Sequence, residues 1–290
     1  MRAWLQLLRL PNLFTAASDV LAGFFFAYQA IYASPKLAFA ALASILIYAA
    51  GVVLNDVFDA AEDRKERPHR PIPSGRVRWS HAAAAGAVLL VLGWFASYGA
   101  GRPAGLTATA LVVCVLLYDG LLKGTILGPL LMGLCRGLNL SLGLAAGGWD
   151  IQSNMMGLYP VAAWTIYVTS VTFFARREAG VSRAPQLRLS LVGIFVALAM
   201  LALMGLWVDR LDRWYLLGLV LAGLWIGPAA QRAVRTLEPA DVQRTVSNCL
   251  FSLILLGASL AWAMVGPVGG LWVAVLLVPT LVASRWLSAT

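Results

Sequence analysis

The chain has 290 residues, of which 60% are apolar and only 12% charged. Apolar runs of about twenty residues, the length that spans a ~30 Å hydrocarbon core, follow one another from Asn12 to the C-terminus, which excludes a soluble domain and makes helices the expected element, since open strands leave backbone groups unsatisfied in lipid. The net charge of +9 lies in the loops between these runs, so the partner it implies is the lipid bilayer and no nucleic acid.

In chain order, spans are predicted at residues 12–33, 37–54, 80–99, 103–120, 125–147, 156–175, 187–208, 214–233, 246–265 and 269–287. The first is too long for a signal peptide, lacks a small-residue cleavage site and follows the semi-polar MRAWLQLLRLPN, so it is read as a retained span. Placing the N-terminus in the cytoplasm puts 17 of the 22 Lys and Arg on that side. These are Arg2, Arg9, the six of the second loop, Lys123, Arg176 to Arg188, Arg232, Arg235, Arg244 and Arg285. The expected location is a bacterial-type inner or cell membrane. Cys114, Cys135 and Cys249 all fall inside apolar segments without metal-ligand spacing and read as small buried residues.

The first span carries Asp19 and the fifth carries Arg136 and Asn139. Ionisable groups at that depth are functional candidates. Asp19 and Arg136 either neutralise each other inside the bundle, or Arg136, with Asn139 one turn away, orients a substrate. The second loop, residues 55–79, holds more acidic groups than orientation requires. If the second helix continues through Asp63, steps of about 100° place Asn55, Asp59, Asp63 and Asp56 within one arc of about 100°. Three carboxylates and an amide oxygen make a hard oxygen site suited to Mg²⁺, with waters and phosphate oxygens completing the shell. Arg64, Lys65, Arg67 and Arg70 follow directly. Pro68, Pro71 and Pro73 then stop the helix and stiffen a loop that would hold Arg67 and Arg70 near a metal-bound phosphate. The bland alternative is a solvated loop of mixed charge. His69 and His81 and the tryptophans near span ends read as solvated or interfacial. The next loop of unusual content, residues 176–188, lies four helices later and hints at two halves meeting at one cavity.

The run NDVFDAAED followed by RPIPSG resembles the motif NDxxDxxxD…RPxPSG of the UbiA superfamily of membrane prenyltransferases, here on Asn55, Asp56, Asp59, Asp63, Arg70, Pro71, Pro73, Ser74 and Gly75. RLPNLFTAASDVLAG resembles that family's first helix. YDGLLKGTILGPLLMGLCRGLN resembles its segment between the fourth and fifth helices and looks closest to the EboC-like branch.

The resemblance implies an all-α integral membrane fold, a nine-helix UbiA-type bundle over about residues 10–266 with an additional C-terminal helix over about 269–287, in one domain covering residues 1–290. It implies Mg²⁺-dependent transfer of a prenyl group from an allylic isoprenoid diphosphate to a small-molecule acceptor. Asn55, Asp56, Asp59 and Asp63 would hold metal; Lys65, Arg67, Arg70 and Lys123 would hold diphosphate. Tyr118 would line the cavity beside Asp119 and stabilise positive charge with its ring, and Asp56, Asp59, Lys123 and Tyr118 would form the catalytic set. The family's second acidic motif is missing: residues 167–183 read YVTSVTFFARREAGVSR, leaving Glu178 as the acidic candidate for metal and Arg176 and Arg177 as substrate-binding candidates. Either these guanidinium groups replace one metal and clamp diphosphate directly, or the protein binds or carries an isoprenoid or amphipathic metabolite without transferring it. An ion-coupled transporter built on Asp19 and Arg136 is a third reading.

Overall fold

Apolar sequence of this density folds as helix throughout, and no strand is present among the residues that the computed structural model describes, 2–32, 34–149, 155–176, 183–206, 208 and 211–288. A short helix α1 (Arg2–Leu7) leads to Arg9, whose left-handed backbone (φ 46°, ψ 52°) turns the chain into α2 (Leu10–Tyr28), with Pro11 in the first turn. Helix α3 (Pro35–Phe58) starts at Ser34, whose side chain accepts from the Lys36 amide at 3.2 Å. It hands over at Asp59 to α4 (Ala60–Glu66). Helix α5 (Trp79–Gly99) follows, and then α6 (Arg102–Leu117), which ends in a π-helical turn, Tyr118–Leu122. The second half comprises α7 (Gly128–Ala146), α8 (Leu158–Ala175), α9 (Ala184–Leu203), α10 (Leu216–Thr236), α11 (Pro239–Ala274) and α12 (Leu277–Ser288).

Among the described residues nine helices are long and apolar enough to cross a membrane, the last being the run Pro239–Trp286. That run contains both the expected ninth span, 246–265, and the expected tenth, 269–287. Forty-eight residues at 1.5 Å each would reach about 70 Å, far beyond a bilayer core. The run bends at Gly266, whose φ of 76° and ψ of −170° suit glycine, followed by Pro267. Side chains turned outward, such as Phe95, Leu106, Leu189 and Leu224, are apolar and more than half exposed, as a lipid-facing surface requires.

Two apolar cores organise the bundle. One joins α2, α3, α6 and α7 through Val20, Ile47, Leu111 and Leu142. The other joins α8 to α11 through Trp164, Ile194, Ile226 and Leu253. Helices α2 and α7 cross between them, and glycine sets their approach. A Cβ on Gly143 would fall on the Val20 carbonyl oxygen, and one on Gly23 on the Leu140 carbonyl oxygen. Gly23 and Gly143 each follow a polar residue of the crossing, Asp19 and Asn139, by one turn, so the same close approach brings those side chains together. Gly143→Val is expected to force the backbones apart and to cost about 1–3 kcal/mol, seen as a fall in the thermal midpoint of the detergent-solubilised protein; an unchanged midpoint would show that the crossing is loosely packed.

Candidate functional site

The last turn of α3 and the start of α4 keep helical register across Asp59: the Asp59 amide donates to the Asn55 carbonyl at 3.0 Å and the Asp63 amide to the Asp59 carbonyl at 2.9 Å. Asn55, Asp56, Asp59 and Asp63 therefore share one side of the helix, but an arc of about 100° is wide enough to split them. Half-buried Asn55 and Asp59 line a cavity. Asp56 and Asp63, 6% and 4% exposed, lie at the other edge of the arc and do not line it.

Each carboxylate has a basic partner. Arg9 Nη2 donates to Asp56 Oδ1 at 2.9 Å, and Arg70 Nη1 to Asp63 Oδ2 at 2.6 Å while lying 3.5 Å from Asp56 Oδ1. Lys123 Nζ donates to Asp59 Oδ1. The Asn55 amide nitrogen donates to the buried carboxylate of Asp119, at 2.8 Å, which directs its carbonyl oxygen away from that partner.

The proline loop is held firmly enough to present Arg70. Ser74 Oγ donates to the Arg70 carbonyl at 2.6 Å, the Val77 amide donates to the Pro71 carbonyl at 3.0 Å, and Gly75 supplies a φ of 74°. Ile72 and Val77 bury against Leu7, Val53 and Val57. Arg76 ties the loop to α1 through Gln6 Oε1, 3.0 Å away.

The site has two adjoining parts. The mouth, ≈ 320 Å³, is lined by Arg9, Asn55, Asp59, Arg67, Arg70, Tyr118, Lys123 and Arg176. Arg9, Asn55 and Tyr118 also line the deeper part, ≈ 150 Å³, whose middle is apolar (Val52, Leu111, Val115, Met132) and whose floor is polar (Ser44, Tyr48, Arg136, Asn139). Lys123 reaches the mouth because the π-helical turn accommodates one extra residue: the Lys123 amide donates to the Tyr118 carbonyl, five residues back, at 3.0 Å.

Not every expected residue arrives. Lys65 is exposed on α4 and lines neither part of the cavity, because its position on the helix falls outside the arc, on the side opposite Asp59, Asp63 and Asp56. Arg177 and Glu178 lie outside the described residues. Arg176 does reach the mouth, where its Nη2 donates to the Gly124 carbonyl at 3.2 Å. Arg9, counted from sequence as a topological charge, borders both parts of the cavity. Its signal was positional: a cation immediately ahead of the first span, on the same side as the acidic loop.

At the floor, Asp19 and Arg136 pair inside the bundle, one of the two arrangements expected. Arg136 Nε lies 3.0 Å from Asp19 Oδ2 and Arg136 Nη2 3.3 Å from Asp19 Oδ1. Asn139 Nδ2 and Trp164 Nε1 also donate to Asp19, at 3.1 and 3.0 Å. Ser44 Oγ donates to Asn139 Oδ1 at 2.7 Å.

The mouth fits a divalent cation in its donor chemistry. The described residues contain no ready-made cage of three or more His, Cys, Asp or Glu. The carboxylates of Asp56, Asp59 and Asp63 each give one oxygen to a basic partner, and the other oxygen has no hydrogen-bond partner among the described residues. A cation that keeps several waters and takes phosphate oxygens needs only such a partial set, of which Asn55 and Asp59 face the cavity.

Comparison with known proteins agrees with this architecture. The profile of the UbiA prenyltransferase family matches residues 17–248. A digeranylgeranylglyceryl phosphate synthase from Sulfurisphaera tokodaii is 31% identical over 162 residues, 54% of this chain and 58% of that relative, so the chain matches little more than half the relative's length. A UbiA homologue from Aeropyrum pernix K1 superposes with a TM-score of 0.70 at 18% identity, over 86% of this chain and 96% of that one. A UbiA homologue from Archaeoglobus fulgidus, bound to GPP and Mg²⁺, superposes with a TM-score of 0.62 at 13% identity, over 94% and 99%. These two structures bear on the fold, whereas the profile match covers the acidic cluster, the π-helical turn and the crossing of α2 and α7 together. On that match the chain belongs to the UbiA prenyltransferase family.

Proposed function

We propose that the chain transfers a prenyl group from an allylic isoprenoid diphosphate to a small-molecule acceptor within the membrane, with the diphosphate held at the mouth. The observation that carries this reading is the convergence of Arg67, Arg70, Lys123 and Arg176 around Asn55 and Asp59, directly above an apolar cavity. As the allylic C–O bond breaks, charge grows on the leaving diphosphate oxygens, and cations already in position stabilise that state more than the bound substrate. Lys123, shared between Asp59 and the mouth, offers an ammonium group to a diphosphate oxygen; Arg67 and Arg176 offer guanidinium donors. The Tyr118 ring and the walls of Val52 and Val115 flank the carbon left behind and keep water from it. Bound Mg²⁺, held by Asn55 and Asp59 with Asp56 and Asp63 adjoining, would supply further neutralisation of the leaving group. Arg176 supports the reading in which a guanidinium takes over part of the missing second acidic motif. The basic loops support an orientation with the mouth on the cytoplasmic side.

The relatives' name makes geranylgeranyl diphosphate the first donor to test, beside geranyl diphosphate. Purified protein supplied with either donor, Mg²⁺ and a membrane-lipid extract as the acceptor source is expected to release diphosphate. Chelation and Asp59→Asn should each reduce that release at least a hundredfold. Saturable donor binding without release would instead identify a carrier on the same scaffold, and release that ignores both Mg²⁺ and Asp59 would remove the metal-site assignment.

A further inference from the structure

The floor of the deep cavity is built to bind something that a prenyl tail cannot offer. Arg136 is 6% exposed in its side chain; its Nη2 donates to the Thr15 carbonyl at 3.1 Å and to Asp19 Oδ1 at 3.3 Å, while its buried Nε lies 3.0 Å from Asp19 Oδ2 without a hydrogen bond. Its Nη1 has no hydrogen-bond partner among the described residues, although the side chain lines the cavity beside Asn139 and lies 5.6 Å from the centre of the Tyr48 ring. The groups around the guanidinium fix its charge balance: Asp19 cancels it, and Asn139, Trp164 and Ser44 complete the network around that carboxylate. Donor hydrogens with no partner, on an ion pair that is already neutral, seek an oxygen lone pair without a net charge. An incoming carboxylate or phosphate would arrive with an uncompensated charge in a desolvated site, whereas a hydroxyl or carbonyl oxygen needs only the donor.

We propose that this floor is the far end of the acceptor subsite, and that the acceptor has an apolar body ending in a neutral oxygen which Arg136 Nη1 holds. The inference rests on the transfer reading above for its word acceptor, but on the floor alone for its chemistry. Depth sets the span. Tyr48 precedes Asn55 by seven residues on α3, about 10 Å along the axis, so the acceptor's reacting atom and its neutral oxygen are separated by about that distance. A hydrocarbon tail would leave the Arg136 donors unsatisfied. It has another route, because an outward-facing recess lined by Leu130, Phe173 and Val192 shares Pro129 with the mouth.

The test is equilibrium binding to the purified protein in detergent, by calorimetry against protein-free micelles, with no prenyl donor and no Mg²⁺, so that it does not depend on turnover. The probes share one body: 4-phenylphenol, 4,4′-dihydroxybiphenyl and 4′-hydroxybiphenyl-4-carboxylate. The diol is expected to bind at least tenfold more tightly than 4-phenylphenol, and the carboxylate no more tightly than 4-phenylphenol. Arg136→Lys keeps a cation beside Asp19 but removes the guanidinium's free nitrogen, and should erase the diol's advantage. Equal affinity of diol and 4-phenylphenol in the unmodified protein, tightest binding by the carboxylate, or a diol advantage that survives in folded Arg136→Lys would each overturn the proposal. If that variant does not fold, the ranking in the unmodified protein decides. Failure here with diphosphate release intact would leave prenyl transfer standing and place the acceptor elsewhere, whereas the expected ranking without any release would leave a binding protein.

Discussion

Arg70→Met is expected to destabilise the protein by about 2–4 kcal/mol and to remove diphosphate release with it. The arginine is the common partner of two buried carboxylates, 2.6 Å from Asp63 and 3.5 Å from Asp56, and its side chain is 22% exposed against 5% and 8% for theirs. Taking it away leaves Asp63 without any cation and Asp56 with Arg9 alone. The cost arises less from the lost attraction than from the negative charges stranded in a poorly solvated place. That account makes a second prediction within the first. Arg70→Met combined with Asp63→Asn should recover about half of the lost stability, because the stranded charge is gone, yet should stay inactive, because the mouth still lacks its guanidinium. Thermal unfolding in detergent beside the release assay separates the two effects. If Arg70→Met unfolds where the unmodified protein does, the carboxylates behind the cavity are solvated and the network contributes nothing to the fold.

Hydropathy was enough to find the spans, because a helix that must satisfy its own backbone and fill a fixed thickness leaves little freedom in length. It also separated the ninth from the tenth, since the gap expected between residues 265 and 269 coincides with the break at Gly266 and Pro267. The acidic arc was visible in the spacing of Asn55, Asp56, Asp59 and Asp63. Its division into a cavity-lining pair and a buried pair depended on where Arg9 and Arg70 return in space, which spacing does not contain. On the wheel that grouped the four, Lys65 falls about 80° from Asn55 on the side opposite the aspartates, outside their arc, and is exposed. Proximity in sequence was a poorer guide to that residue than angle. Arg9 was hidden because a single cation ahead of a first span satisfies the rule for orientation, and only the fold reveals that it also closes onto Asp56. Asp19 and Arg136 were conspicuous as charges at membrane depth, and their pairing follows from the glycine-mediated crossing one turn away.

The largest effect on turnover alone is expected at Lys123. Its pair with Asp59 is partly open, 29% and 18% exposed, so breaking it should cost no more than about 1 kcal/mol of stability. Lys123→Met is nonetheless expected to lower the rate of diphosphate release by about 100- to 1,000-fold, because the ammonium stands where charge develops as the leaving group departs. Lys123→Arg should recover part of that rate. The rate at saturating donor should fall by more than donor affinity does, since the charge to be stabilised is greatest in the transition state. The position of this lysine depends on the π-helical turn Tyr118–Leu122, which carries one residue more than an α-turn would. Inserting one alanine after Gly120 adds a residue that the turn does not already absorb and should swing Lys123 about 100° away from Asp59. The insertion should then lower release as far as Lys123→Met does, and adding Lys123→Met to it should change nothing further. Full activity in the alanine insertion would show that Lys123 reaches the diphosphate from either register, and the π-helical turn would lose its role in the site.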